Sequence, residues 1–278
     1  MHEKTDFWLK FWGVRGSIAC PGEDTMRYGG NTPCIEVHCD SYNFIFDMGT
    51  GLKALGDHLP ANGQLNYDIF LTHSHLDHVN GFPFFKPAYS PETRLKLWAG
   101  HLKAQGMTLE QIIRSLMDQP FFPITVDLLA ATLSFNDFTA GDTLHIRDDI
   151  TIRTAPLNHP GGGTGYRVEY GGRALCYVTD TEHVPGKPDK NILTLIDGAD
   201  VLIYDSNFTD AEFVSRTGWG HSTWQEGARL AEAAGVKTFV AFHHDPSHDD
   251  AAMDKIAQEL ETLRPGSIVA REGMVLSL

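Results

Sequence analysis

The sequence predicts an α+β protein built as a four-layer αββα sandwich, and three observations carry that prediction. Each half of the chain gives strands first and helices after, no low-complexity linker parts the halves, and no short-period repeat runs through them. Histidines and aspartates fall repeatedly at the ends of apolar, strand-like runs, which would gather them along one edge of such a sandwich.

Residues 7–14 (FWLKFWGV) read as an aromatic-rich opening strand, and 15–33, with its Gly29-Gly30-Asn31 turn, as a long loop. Two short apolar runs, 35–39 and 42–46, are parted by Asp40-Ser41 and form a hairpin signal. Asp47-Met-Gly-Thr-Gly51 closes the second run in a Gly-rich turn, and a short helix is expected over 52–59. Residues 67–72 (YDIFLT) form a buried strand that runs directly into His73-Ser-His-Leu-Asp-His78. After a strand at 95–99, Thr108 and Gln111 make a capping box for a helix to about residue 118, with Leu109, Ile112, Ile113 and Leu116 at helical spacing. Strands are expected at 132–135, 151–154, 165–170, 174–179 and 201–204. Thr223 and Glu226 form a second capping box for a helix to about 234. A strand at 236–242, a helix at 249–263 and a last strand at 267–276 complete the chain.

Composition narrows the function. The 278 residues include 36 acidic and 22 basic side chains, a formal net charge of −14, so a basic groove for nucleic acid is not expected and a polymer partner is disfavoured. A chain of this length buries about 75% of the surface its unfolded state exposes and needs no disulfide or metal merely to fold. No apolar stretch approaches the ~18–20 residues of a membrane helix, and residues 1–6 lack the apolar centre of a signal peptide. Cys20, Cys34, Cys39 and Cys176 form no CxxC pair and read as reduced, mostly buried thiols. A cytoplasmic protein without a membrane partner is the expectation.

Histidine stands out, with 14 residues unevenly placed. His73, His75, Asp77 and His78 lie within six positions immediately after a buried strand, and three imidazoles with a carboxylate suit borderline-soft divalent metals. In an extended or turning segment, His73 and His75 can face one ion while Asp77 and His78 face a neighbour. His159, Asp180 and His243 each follow another predicted strand, and together with the first cluster they point to a metal site.

These residues bring a family into view. The chain resembles the metallo-β-lactamase-fold hydrolases along most of its length, which implies one domain over 1–278. The resemblance rests on His73-x-His75-x-Asp77-His78, then His159, Asp180 and His243 in order, preceded by Asp47-x-Gly49-x-Gly51. It implies two divalent ions per chain, zinc or else manganese or iron. His73, His75 and His159 would hold one, Asp77, His78 and His243 the second, and Asp180 would bridge them; His244 is the rival of His243. Gly220-His221-Ser222-Thr223, opening a helix, is similar to the ribonuclease Z and phosphodiesterase branch, which implies that His221 acts on the scissile diester and that Asp205 orients it. Only 20 residues separate His159 from Asp180, too few for the arm with which ribonuclease Z grips tRNA. Gly13-Val-Arg-Gly-Ser17 and Tyr28-Gly-Gly-Asn-Thr-Pro33 resemble armless bacterial members, some of them cyclic-nucleotide phosphodiesterases.

The expected function is therefore a metal-dependent hydrolase, a phosphodiesterase for a small or cyclic nucleotide-like diester. A thioester or lactone hydrolase of the same fold and an RNA-processing nuclease are the alternatives. Two metals roughly 3.5–4 Å apart would share a hydroxide that attacks phosphorus. His221 would protonate the leaving oxygen, and Asp47 would orient a metal-bound histidine or else serve as a plain turn residue. Core packing is expected to account for most of Phe82, Phe84, Phe85, Tyr89, Trp98, Phe121 and Phe122, with at most a few lining a pocket where a base could stack, and the same holds for Trp219. His183 reads as a solvated loop residue and Asn31-Thr32 equally as a phosphate contact or a tight turn. The segment 81–119 is expected to cover the site or to form a homodimer face.

Overall fold

The computed structural model describes residues 6–60 and 64–278. The segment 1–5, on which most of the signal-peptide reading fell, lies outside the described residues. Among the described residues no helix is long and apolar enough to cross a membrane.

The first half of the chain forms β1 (Phe7–Gly13), β2 (Cys34–Cys39), β3 (Tyr42–Phe46), α1 (Thr50–His58), β4 (Asn66–Leu71), α2 (Leu76–Val79), β5 (Arg94–Ala99), α3 (Leu109–Leu116) and β6 (Thr132–Asp137). The second half forms β7 (Thr143–Arg147), β8 (Ile150–Leu157), β9 (Gly163–Tyr170), β10 (Arg173–Val178), α4 (Lys190–Ile196) and β11 (Val201–Asp205). It continues through α5 (Asp210–Phe213), α6 (Trp224–Ala233), β12 (Thr238–Phe242), α7 (Asp250–Leu263), β13 (Ile268–Val269) and β14 (Val275–Ser277). The strands make two seven-stranded sheets, β14-β1-β2-β3-β4-β5-β6 and β13-β12-β11-β10-β9-β8-β7.

Strand periodicity explains the four layers. Successive side chains of a strand point to opposite faces, and in β11 Val201 and Ile203 enter the core between the sheets beside Phe46, Phe70, Tyr177 and Phe242. Leu202 and Tyr204 point the other way, into the core shared with α4, α6 and α7. In β4, Phe70 faces the inter-sheet core while Tyr67, Ile69 and Leu71 pack outward with residues of α1 and α3. Each such side chain, fully buried, contributes roughly 1.5–3 kcal/mol relative to an exposed one, so both faces of both sheets are committed and the αββα order follows.

The structure differs from the sequence reading in several elements. The expected last strand over 267–276 is two strands in different sheets: β13 pairs with β12, and β14 pairs with β1. Between them the chain turns through Gly273 at φ 79. Apolar alternation cannot register such a switch, because both halves bury one face. α4 was not expected, although Asp189 caps it by accepting from the amides of Asn191 and Ile192. β7, α2 and α5 are likewise additional. The Thr108–Gln111 capping box is complete. The Thr223–Glu226 box is only half made: Thr223 accepts from the Glu226 amide, while the Glu226 carboxylate turns to Arg229 at 2.8 Å.

Parallel pairing is what positions the site. β3 runs parallel to β4, β10 to β11, and β11 to β12, with Phe46 level with Phe70 and Asp205 level with Phe242. The residues just past these strands, Asp47, Thr72-His73, Asp180 and His243, therefore emerge along one edge.

Candidate metal centre

At that edge the structure brings together all seven histidines and aspartates expected to hold metal. Ligand atoms of His73, His75 and His159 lie within 4.8 Å of one another, and so do those of Asp77, His78, Asp180 and His243. Of the two forms expected for this segment, extended or turning, the structure has the turning one: Asp77 and His78 ride on the single turn of α2, with His75 at its N-cap position. Asp180 faces both groups. Its Oδ1 is 3.3 Å from His78 Nε2 and 3.2 Å from His243 Nε2, while its Oδ2 is 3.6 Å from His73 Nε2 and 3.8 Å from His159 Nε2.

The backbone is strained to achieve this. Of the five non-glycine residues with positive φ among the described residues, Asp47, Asp180 and His243 belong to the cluster and Ser17 touches it; only Asp40, in the β2–β3 turn, lies apart. Left-handed conformations in L-residues persist where surrounding structure over-determines them, commonly at functional sites. The Ser17 amide donates to Asp77 Oδ2 at 2.8 Å, a contact the sequence did not disclose. Glycine next to it is required by close approach: a Cβ on Gly16 would sit 2.5 Å from His243 Nδ1.

Hydrogen bonds behind the rings decide which nitrogen carries the proton. Asp47, fully buried, accepts from His78 Nδ1 at 2.9 Å, from the Thr72 amide at 2.8 Å, from Thr72 Oγ1 and from the Tyr177 hydroxyl at 2.8 Å. Because the Thr72 hydroxyl proton goes to Asp47, its oxygen accepts from His73 Nδ1 at 3.1 Å. His159 Nδ1 donates to the Gly220 carbonyl at 2.7 Å. When these rings are neutral, the Nε2 atoms of His73, His78 and His159 therefore carry the lone pairs and aim inward. For His243 the nearest group to Nδ1 is the Asn207 amide nitrogen, at 3.3 Å. Asp47 therefore orients a ring of the cluster directly and a second through Thr72, more than a turn residue would do.

This donor set fits divalent cations. His73 Nε2 is buried and has no hydrogen-bond partner among the described residues. His159 Nε2 stands 3.0 Å from His75 Nδ1, and His78 Nε2 stands 3.2 Å from His243 Nε2, although His78 and His159 have given their protons to the far side. Nitrogens that face each other in this way need a proton or a cation between them, and a divalent ion would serve at each pair. Electrostatics agree: burial opposes charge on His78, yet Asp180, Asp77 and Asp47 outweigh it and draw the ring well above its usual range. Burial likewise opposes charge on Asp180, and His243, His78 and His73 hold it well below the carboxylate range. Imidazole and carboxylate donors of this kind suit zinc, manganese or iron.

His221 lies against this cluster. Its Nδ1 donates to Asp205 Oδ2 at 3.1 Å and is 3.7 Å from Asp180 Oδ2. Burial pushes the imidazole down, but the charge and hydrogen bond of Asp205 prevail and raise it to about 9. Asp205 is itself fixed by accepting from the amides of Thr181 and Asn207. His244, the rival of His243, turns away: its Nε2 bonds the Ala270 carbonyl at 2.9 Å, and burial lowers it to about 3.

Other expectations need correction. Trp219 is not core but 60% exposed, and Phe84 and Phe121 are exposed as well. Aromatic character alone cannot tell a core position from a rim position. His183 is half-buried and held in place: its ring stacks on Phe213 at 4.1 Å, and its Nδ1 lies 2.8 Å from Ser222 Oγ. Asn31 is bound to Glu272, and Thr32 exchanges hydrogen bonds with Thr50, so neither is offered to a ligand. Much of 81–119 is not a cover for the site: Phe82, Phe85, Leu102, Leu109, Ile113 and Met117 fill the core outside the first sheet. Cys34, Cys39 and Cys176 are buried free thiols, and Cys20 is half-buried.

Comparison with known proteins gives a concordant picture. A family model described as the beta-lactamase superfamily domain matches residues 42–244. Ribonuclease Z of Haloarcula marismortui is 23% identical, with 96% of this chain and 95% of the relative aligned. The metallo-beta-lactamase fold protein YhfI of Bacillus subtilis superposes with a TM-score of 0.71 at 19% identity, over 99% of this chain and all of that one. A diphosphatase of the PhnP family superposes with a TM-score of 0.70 at 18% identity, over 98% of each chain.

Proposed function

The chain belongs to the beta-lactamase superfamily as a hydrolase of the metallo-β-lactamase fold, and from that premise we propose that it is a phosphodiesterase for a small or cyclic nucleotide-like diester. His73, His75 and His159 would hold one divalent ion, Asp77, His78 and His243 a second, and Asp180 both, with zinc, manganese or iron each compatible with the donors. Bound there, such a pair lowers the pKa of a shared water towards 7 and withdraws charge from a phosphoryl oxygen.

The observation that carries this reading is the His221–Asp205 pair, 3.1 Å apart and pressed against Asp180. A diester with an alkoxide leaving group needs a proton at the departing oxygen, and a positioned imidazole supplies typically ~10²–10⁴-fold in rate by giving one. Thioester cleavage releases a thiolate, which leaves without that help. Asp205 fixes the ring and favours its charged form, the form that can give a proton. Asp47 and Thr72 hold the rings of His78 and His73 in the tautomers a cation requires.

A small substrate is favoured over a nucleic-acid polymer by the net charge of −14. It is favoured too by the direct β9–β10 hairpin, which leaves little chain between His159 and Asp180 for a protruding arm. The relatives named ribonuclease Z and the neighbour named a diphosphatase support phosphorus–oxygen chemistry without fixing the substrate.

The reading is tested by assaying purified, metal-quantified protein against bis(p-nitrophenyl) phosphate, a thioester, a lactone, a chromogenic β-lactam and a precursor tRNA. Turnover of the diester, abolished by chelator and restored by zinc or manganese, is the expected result. Thioester or lactone turnover without diester activity would overturn it, and a thioesterase would also leave His221 with no leaving group to protonate.

A further inference from the structure

The turn that delivers His221 to the site also presents an exposed indole, and its construction is unusual for a surface loop. Gly218 and Gly220 flank Trp219 at φ 91 and 86. One carboxylate oxygen of Glu182 accepts from both of their amides, at 2.7 and 2.8 Å, so the apex is clamped from below. The Gly220 carbonyl holds His159, and a Cβ on Gly220 would lie 2.5 Å from Pro160. The turn is therefore fixed against the metal cluster, yet its central residue is 60% exposed.

Trp219 is joined to the acid by side chains as well as by the backbone. The Arg216 guanidinium sits 4.9 Å from the indole centroid and 5.2 Å from that of Phe208, and Phe208 meets His221 edge-on at 5.9 Å. Asp245 restrains Arg216 at 3.6 Å. A cation over an aromatic face holds the ring in place, and a rigid exposed indole is a surface on which a planar ring stacks. Trp219 stands two residues before His221, so one turn carries both the indole and the acid.

We infer that Trp219, braced by Arg216, is the platform on which the ring of the substrate stacks, a nucleobase carried on the diester cleaved beside His221. The inference rests on the phosphodiesterase reading and makes Trp219 a specificity-determining residue, because it grips a part of the substrate remote from the reacting atoms.

The test compares two competitive inhibitors of the metal-loaded enzyme, adenosine 5′-monophosphate and methyl phosphate, which share the phosphate and differ in the base. Wild type is expected to bind the nucleotide more tightly. Trp219→Ala is expected to weaken it by about 5- to 100-fold while shifting methyl phosphate by less than about 2-fold, and Trp219→Phe to keep most of the wild-type preference. Metal content and gel-filtration volume should not change. An unchanged nucleotide inhibition constant in Trp219→Ala would overturn the assignment, as would a dimer that falls to monomer, which would place the indole against a second copy of the chain. If wild type binds neither inhibitor and cleaves no diester, the phosphodiesterase reading fails and the platform with it. If wild type binds methyl phosphate and cleaves diesters while Trp219→Ala keeps its nucleotide affinity, only the platform fails.

Discussion

Asp180→Ala is expected to lose metal and turnover together. Asp180 is the one residue whose two oxygens face the two groups of imidazoles, with Oδ1 3.2 Å from His243 Nε2 and Oδ2 3.6 Å from His73 Nε2. Removing it withdraws the central negative charge from four converging ring nitrogens. Metal analysis should then find one ion or fewer per chain, with diester turnover down by about 10³-fold or more, since metal charge stabilisation amounts to several kcal/mol in the transition state. Alanine at φ 55 also carries a backbone penalty of roughly 1–2 kcal/mol. Asp180→Asn tolerates that conformation better, and it should lose metal with a smaller drop in Tm. Two ions per chain in both variants would refute the bridging role.

His221→Ala is expected to separate catalysis from metal binding. The ring has a ligand atom within 4.8 Å of those of Asp180, Asp205 and His243, but its Nδ1 is committed to Asp205 at 3.1 Å, so metal content should stay at the wild-type level. Turnover of a diester with an alkyl leaving group should fall by ~10²–10⁴-fold. A p-nitrophenyl leaving group departs without protonation, and its turnover should fall far less, which marks His221 as a proton donor and not a binding residue. Asp205→Asn should reproduce a part of the loss, about 10- to 100-fold, by releasing the ring it holds at 3.1 Å. Equal losses on both leaving groups would argue that His221 only shapes the site.

Why so much of this edge could be read from sequence is a matter of strand ends. His73, Asp180 and His243 each follow an apolar run whose burial is written in its side chains, and parallel pairing then aligns their ends. The choice between His243 and His244 was not legible, because it depends on a left-handed turn at His243 that sends one ring inward and the next to Ala270. Thr72 and Tyr177 gave no signal either: they act through Asp47, by contacts that join residues 25 and 130 positions apart. The fold was legible in its layers and less so in its connections, since β13 and β14 look like one strand until the sheets they join are known. Trp219 shows the same limit at a side chain. An indole there reads as core, and its exposure shows only in the structure, where Glu182 clamps the amides on either side of it.

The most direct measurement is a titration of metal-free protein with zinc or manganese, following bound metal and diester turnover at each addition. Two ions should bind per chain, and turnover should rise chiefly with the second, because the proposed reaction would need both ions on Asp180 and on one water. Full activity at one equivalent, or two bound ions with no diester turnover, would contradict a two-metal phosphodiesterase at this edge.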